Sequence, residues 1–311
     1  MAKWIPSLWL TASPLEAYQD TEGITQPAGK RLLEVSGLVP AQPPISSGKG
    51  YQTPNSNSAL DNENEVKVLD IGSGLGQVTN ALLQSERVNK QIRIVAGEID
   101  DSLLAHLRHK KEQGIDGWGT VDVEKLDVNS LAEPDDTFDY IYANFLYFLL
   151  PDPLAGLKES IRVLKAGGTL SLSTWGCSGP LQLLQRAISL LPSYPLIPPS
   201  SPPGGAWSHP RYIQQILTDH GLIDIKIEPY EFVQIADSPG DMARKMHPVV
   251  PILTAKWGEE KQELGWKVFE KVEELLKREQ GEGPVKIWSV ALVVTAKKPN
   301  EIGRTAIRDS S

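Results

Sequence analysis

The most constraining feature of this chain is the block Val66-Lys67-Val68-Leu69-Asp70-Ile71-Gly72-Ser73-Gly74-Leu75-Gly76, followed by Gln77-Val78-Thr79. A short apolar run ending in closely spaced glycines predicts a buried strand that turns directly into a helix. Glycines there allow a tight turn and let a ligand reach backbone N–H groups, while the helix start favours anionic atoms. A dinucleotide fingerprint, GxGxxG, would need its third glycine at position 77, which is Gln77. The spacing here is GxGxG, with an acid two residues before the first glycine. Asp70 would repel a pyrophosphate but suits a ligand carrying a free ammonium group. The plainer alternative is a strand-turn-helix whose glycines serve geometry alone.

Downstream, strand and helix signals alternate. Strands are predicted at 92–96, 120–126, 140–143 and 169–174, with helices at 102–111 and 154–164 between them. Such alternation calls for a parallel sheet covered on both faces. Glu98 follows the second strand, 22 residues after Gly76. A carboxylate there can accept hydrogen bonds from both ribose hydroxyls of an adenosine, in NAD enzymes as in others. A solvated loop acid is the alternative, and Asp100 and Asp101 read as helix N-terminal charges.

Taken together, VLDIGSGLGQVT, GEIDDSLL, LDVNSLAEPDDTFDYIYANFLYFL and RVLKAGGTLSLSTW resemble the class I S-adenosylmethionine-dependent methyltransferases, their type 11 small-molecule branch best. The resemblance covers roughly residues 66–175. It implies an α/β, Rossmann-like fold of about seven strands, mostly parallel, with an antiparallel edge strand and helices on both faces. It also implies S-adenosylmethionine as methyl donor, S-adenosylhomocysteine as product and no metal. On matching positions, Asp70, Gly72, Ser73, Gly74, Gly76 and Gln77 would hold the methionine end. Glu98 would take the ribose and Ile99 would pack on the adenine. Asp127, with Val128 beside it, would receive the adenine amino group. Asn144 and Phe145 would face the methionine portion and the methyl, and Tyr18 would cover the cofactor. Ala166 departs from the family's usual proline.

Outside that block the organisation is plainer. Residues 1–39 predict an N-terminal helical cap with helices at 14–18 and 27–38. Residues 40–64, rich in Pro, Ser, Asn and Gly, read as a flexible loop or a gating lid. Residues 65–299 form the methyltransferase domain, with a lid or substrate insertion at about 176–260. A hairpin from strands 223–228 and 285–296 is expected at one sheet edge, with 237–280 helical between them. Residues 300–311 read as a frayed tail.

Composition excludes several functions. A formal net charge of -8 argues against a nucleic-acid binder. One cysteine, Cys177, excludes an internal disulfide and cysteine-rich zinc clusters. No signal-peptide core or membrane-spanning run is visible, so the cytoplasm is the expected location, with a small-molecule partner, no membrane and an open oligomeric state.

The expected reaction is methyl transfer to an oxygen or nitrogen of a small, largely apolar molecule. The resemblance suggests secondary metabolism. His209 and His247 are candidate bases, needed only if the nucleophile must lose a proton; a structural role for either is the alternative. Substrate contacts are expected beyond the sheet, from Trp9, Tyr147, Trp175, Trp207 and Met246, which favour an aromatic or terpenoid acceptor. The competing readings are an NAD-dependent oxidoreductase, a macromolecular methyltransferase, and a protein that binds S-adenosylmethionine without transferring its methyl.

Overall fold

In a computed structural model, the structure describes residues 14–38, 65–85, 92–191, 204–246 and 265–300. Seven strands form one sheet in the order β3-β2-β1-β4-β5-β7-β6. They are β1 (Val66–Ile71), β2 (Ile92–Glu98), β3 (Asp122–Lys125), β4 (Phe138–Asn144), β5 (Leu164–Cys177), β6 (Ile223–Ala236) and β7 (Val285–Lys297). The first five are mutually parallel, and β7 runs antiparallel between β5 and β6. Because β1 lies between β2 and β4, the winding direction reverses there. Parallel sheets bind ligands outside the carboxyl ends of their strands at such a reversal.

Eight α-helices are described: α1 (Pro14–Ser36), α2 (Gln77–Leu83), α3 (Asp101–Glu112), α4 (Pro153–Val163), α5 (Gly179–Ser189), α6 (Pro210–Asp219), α7 (Pro239–Lys245) and α8 (Gly265–Gln280). One face of the sheet packs Leu157 of α4 with Ile213 and Leu217 of α6. The other packs Ala28 and Leu32 of α1, Val78 and Leu82 of α2 and Leu107 of α3. Aspartates begin two of these helices: the Asp100 carboxylate accepts the Ser102 and Leu103 N–H groups, and Asp152 accepts those of Leu154 and Ala155.

A third core lies beyond the main sheet. Strands β6 and β7 stay paired from Ile223↔Lys297 to Ala236↔Val285, well past the end of β5, whose last partner is Val290. On this extension Ala236, Val285 and Ile287 pack against α5, α7 and α8. Helix α8 offers Val268, Val272, Leu275 and Leu276, the spacing of one helical face.

Three expectations need correction. The N-terminal segment is one helix containing Pro27, not two. A mid-helix proline orphans the carbonyl four residues back; that residue is Gly23, which is exposed, so water can satisfy it. The insertion expected at 176–260 is not one block. Residues 223–236 are an edge strand of the sheet itself, 179–189 are helical, and the cap is completed by α8 outside those bounds. The first late strand runs to Ala236 rather than 228. Residues 40–64 and 301–311 lie outside the described residues.

Lys298 closes the amino-terminal side of the sheet. Its ammonium is buried and donates to the carbonyls of Ile161 (2.8 Å) and Leu164 (2.5 Å) at the end of α4, and to Asp136 Oδ1 (2.8 Å). A cation suits these carbonyls, left without partners by the helix. Lys298→Met is expected to destabilise the protein by about 2 kcal/mol, the typical loss when charged hydrogen bonds leave buried carbonyls bare. Urea unfolding measures it, and an unchanged midpoint would show that water replaces the ammonium.

Candidate functional site

The glycine turn follows β1 because three of its residues take a left-handed backbone: Gly72 at φ 67°, Gly74 at 57° and Gly76 at 80°. Asp70, at the end of β1, is buried, and its Oδ2 accepts the Thr79 backbone N–H (3.0 Å) and hydroxyl (2.7 Å). One carboxylate thereby ties the strand to the first turn of α2 across the loop. Burial pushes the Asp70 carboxyl up to about 6, with the Thr79 bonds opposing and nearby Glu98 adding to the rise.

Glu98, only 7% exposed, bridges the glycine turn and the end of β2. Its Oε2 accepts the Gly74 N–H (2.9 Å), and its Oε1 accepts those of Ile99 (2.8 Å) and Asp100 (3.0 Å). Burial raises its carboxyl above the ordinary range against the pull of those three N–H groups. A carboxylate has about four lone-pair sites, so acceptor capacity remains. Beside it, Ile99 is 55% exposed, an apolar side chain held in water next to a buried acid. Asp127 is exposed, its Oδ1 taking the Asn129 N–H (2.9 Å), and Val128 is buried beneath.

At the end of β4, Asn144 is held on both sides. Its amide donates to the Thr25 carbonyl on α1 (3.3 Å), and its oxygen accepts the Ser173 hydroxyl (2.7 Å). Phe145 sits at φ 53°, a strained conformation for a residue with a side chain. The Phe145 N–H donates to Ser173 Oγ (2.9 Å), which helps hold it there. Gln77 donates to the Thr25 hydroxyl (2.9 Å), so α1 is docked over both the glycine helix and Asn144. Tyr18 falls in the first turns of α1, and its side chain lies outside the described part.

The structure thus brings Asp70, the glycines, Ser73, Gln77, Glu98, Ile99, Asn144 and Phe145 to the carboxyl ends of β1, β2 and β4. Other sequence candidates sit elsewhere. Tyr147 and Trp207 stack with centroids 5.3 Å apart in the core on the face opposite α1, and the Tyr147 hydroxyl is spent on Ser160 (2.9 Å). Met246 is buried in the cap core. His209 is exposed at the start of α6 and makes no side-chain cap. Trp175, by contrast, stays at the site, lying against Phe145 with centroids 4.4 Å apart. Trp9 and His247 lie outside the described residues.

Several supporting residues escaped the sequence reading. Trp118 is fully buried under the glycine turn, and its indole N–H donates to Asn80 (2.7 Å). Nothing periodic marks it, since it belongs to a short 3-10 segment, Ile115–Thr120. Thr79 was more accessible: a hydroxyl one turn into the helix after a glycine loop is a natural partner for the strand-end acid. Ser173, 29 residues from Asn144, carried no local signal.

Residues 68–168 match the family described as a methyltransferase domain. That span holds the glycine turn, Glu98, Asp127 and Asn144. Over this stretch, about a third of its length, the chain is similar to methyltransferase domains. Among curated relatives, methyltransferase tpcH of Aspergillus fumigatus is 24% identical over 142 residues, 44% of this chain and 50% of that protein. Methyltransferase ktnA of Aspergillus niger is 22% identical over 261 residues, 76% of this chain and 85% of that one. The ubiquinone/menaquinone biosynthesis C-methyltransferase UbiE of a Shewanella species is 33% identical over 134 residues, 43% and 51% respectively. The chain therefore spans half the length of tpcH and most of ktnA.

The site fits a nucleoside with an amino-acid end on two observations. The Ser73 hydroxyl is buried without a partner inside the turn. Ile99 offers an exposed apolar platform beside the Glu98 acceptor.

The raised Asp70 carboxyl makes the unliganded domain pH-sensitive. Its pKa when folded, about 6, exceeds the ordinary 3.8, so folding favours the protonated form. The stability it contributes is present below pH 4 and is lost as pH rises through 6. In Asp70→Asn that loss is absent, so the stability of wild type relative to the variant is expected to fall between pH 4 and 6. Urea midpoints across that window measure it; parallel curves would contradict it.

Proposed function

We propose that this chain transfers a methyl group from S-adenosylmethionine to an oxygen or nitrogen of a small, largely apolar organic molecule. The observation that carries this reading is the pairing of two buried acids, Asp70 and Glu98, around a glycine turn at the reversal point of the sheet. Asp70 favours an ammonium group and Glu98 favours a diol, so the two acids suit the two polar ends of that donor. Ile99 and Asp127 add the apolar platform and acceptor that suit a purine bearing an amino group.

Bound there, S-adenosylmethionine supplies a methyl group already activated by its sulfonium. The chain's residues then have to orient and exclude water. Asn144, fixed by Thr25 and Ser173, and Phe145, fixed by Ser173, form a wall that cannot swing. Holding two reactants in line is worth up to about 7–11 kcal/mol in favourable cases. The Phe145 and Trp175 rings attract cationic charge and keep the site dry. Asn144, Phe145 and Trp175 carry no base, so this wall suits an acceptor that is already nucleophilic or loses its proton to water.

Calorimetric titration of the full chain with S-adenosylmethionine, S-adenosylhomocysteine and NADH tests the reading. Micromolar binding of the first two and none of the third is expected. Labelled methyl appearing in an acceptor then separates transfer from binding alone. Binding of NADH alone, or of nothing, would overturn the reading of the glycine turn.

A further inference from the structure

The inward row of the β6–β7 ladder is not uniformly apolar. On β6 it reads Tyr230, Phe232, Gln234, Ala236, and on β7 Ala291, Ser289, Ile287, Val285, with Phe232 opposite Ser289 and Gln234 opposite Ile287. Phe232 and Ala291 belong to the core under α1, whereas Ala236, Ile287 and Val285 belong to the cap core. Gln234 and Ser289 belong to neither. They form a polar seam where two apolar cores meet on one continuous sheet face.

That seam is incompletely satisfied. Ser289 Oγ accepts the Gly179 N–H at 3.1 Å, and Gln234 Nε2 reaches the same oxygen only at 3.5 Å. Gln234 Oε1 is buried with no partner, on a residue 5% exposed. An apolar residue of the same shape would have avoided that desolvation cost. An aromatic run leads to this point from the strand-end wall. Phe145 and Trp175 have centroids 4.4 Å apart, Trp175 and Phe232 6.2 Å, and Phe232 and Tyr230 6.1 Å, with interplanar angles of 37°, 31° and 18°. Phe145 and Phe232 are buried in this run, and Trp175 and Tyr230 are only partly buried. Small-molecule sites combine such apolar walls with a few fixed polar groups.

We infer that Phe145, Trp175 and Phe232 line the acceptor subsite and that Gln234 is its polar end. The acceptor class is a flat, fused aromatic molecule with a hydroxyl remote from the methylated atom, and that hydroxyl donates to Gln234 Oε1. This rests on the reading of Asn144 and Phe145 as the methyl-facing wall. Selectivity for the distal hydroxyl comes from leaving Gln234 unpaired when it is missing.

The test uses the full chain saturated with S-adenosylhomocysteine and two probes, 2,6-dihydroxynaphthalene and 2-naphthol, followed by calorimetry. The diol is expected to bind at least tenfold tighter than 2-naphthol. In Gln234→Met that preference should collapse to less than twofold, with S-adenosylhomocysteine affinity unchanged and a melting temperature no lower than wild type. Phe232→Leu should weaken both probes alike. Equal affinity for the two probes in wild type overturns the inference without needing any variant. So does a preference that survives in Gln234→Met, or binding of neither probe. Failure of S-adenosylhomocysteine itself to bind is seen before either probe is added, and it overturns the cofactor reading together with this one.

Discussion

Gly76→Ala is expected to destabilise the protein by about 3 kcal/mol and to weaken S-adenosylhomocysteine binding at least a hundredfold. The backbone there has φ 80°, which costs a residue with a Cβ about 1–2 kcal/mol. The added carbon would also sit 2.4 and 2.5 Å from the Trp118 ring carbons. That ring cannot withdraw cheaply. It is fully buried, its N–H donates to Asn80 at 2.7 Å, and Lys110 lies 4.3 Å above its centroid. The Lys110 ammonium donates to the same Asn80 oxygen at 2.9 Å, which locks ring, lysine and helix α2 together. Overpacking of this kind adds about 1–3 kcal/mol. Relief would have to come from the turn, which displaces the backbone N–H groups offered to a ligand. Urea unfolding and calorimetry read the two losses separately. Near-native values for both would mean that the indole is far more mobile than its partners allow.

Glu98→Ala is expected to weaken S-adenosylhomocysteine binding about a hundredfold, or about 2.7 kcal/mol. Two losses combine. The carboxylate that would accept the ribose hydroxyls disappears, and the Gly74, Ile99 and Asp100 N–H groups lose their acceptor. The glycine turn is then no longer pinned to β2 through Gly74. Glu98→Gln should fall between wild type and alanine, because one amide oxygen can still accept while the NH2 faces backbone donors. An alanine variant with wild-type affinity would place the nucleoside elsewhere on the chain.

Local signals explain what the sequence disclosed. The strand-turn-helix at Asp70 to Thr79 is written in consecutive residues, so its geometry could be read before any contact was known. The parallel strands were legible because burial on both faces makes them near-continuous apolar runs. Helix α5 was obscured by flanking Pro, Ser and Gly, although Leu181, Leu184 and Ile188 have the spacing of one buried face. The true length of β6 was hidden because Pro229 and the exposed Glu231 follow the part that was read, and beyond them buried and exposed residues alternate, as in an edge strand facing water. Tyr147 and Trp207 show the limit of counting aromatics. Only the fold reveals which side of the sheet a ring occupies, and these two stack away from α1. Trp118 and Ser173 act on the site through contacts made across 38 and 29 residues, distances over which pattern carries no information.

The continuity of β6 and β7 through both cores bears on how such a protein can diversify. A cap carried on loops can be exchanged as a module, leaving the catalytic sheet intact. Here an excision that removed the cap would also take the ladder that closes the sheet beside β5. On the acceptor subsite inferred above, new preferences are therefore more accessible by single replacements along one inward row, at Tyr230, Phe232 and Gln234, than by recombination of whole segments. Each such change would alter specificity without disturbing the hydrogen-bonded frame that joins the two halves.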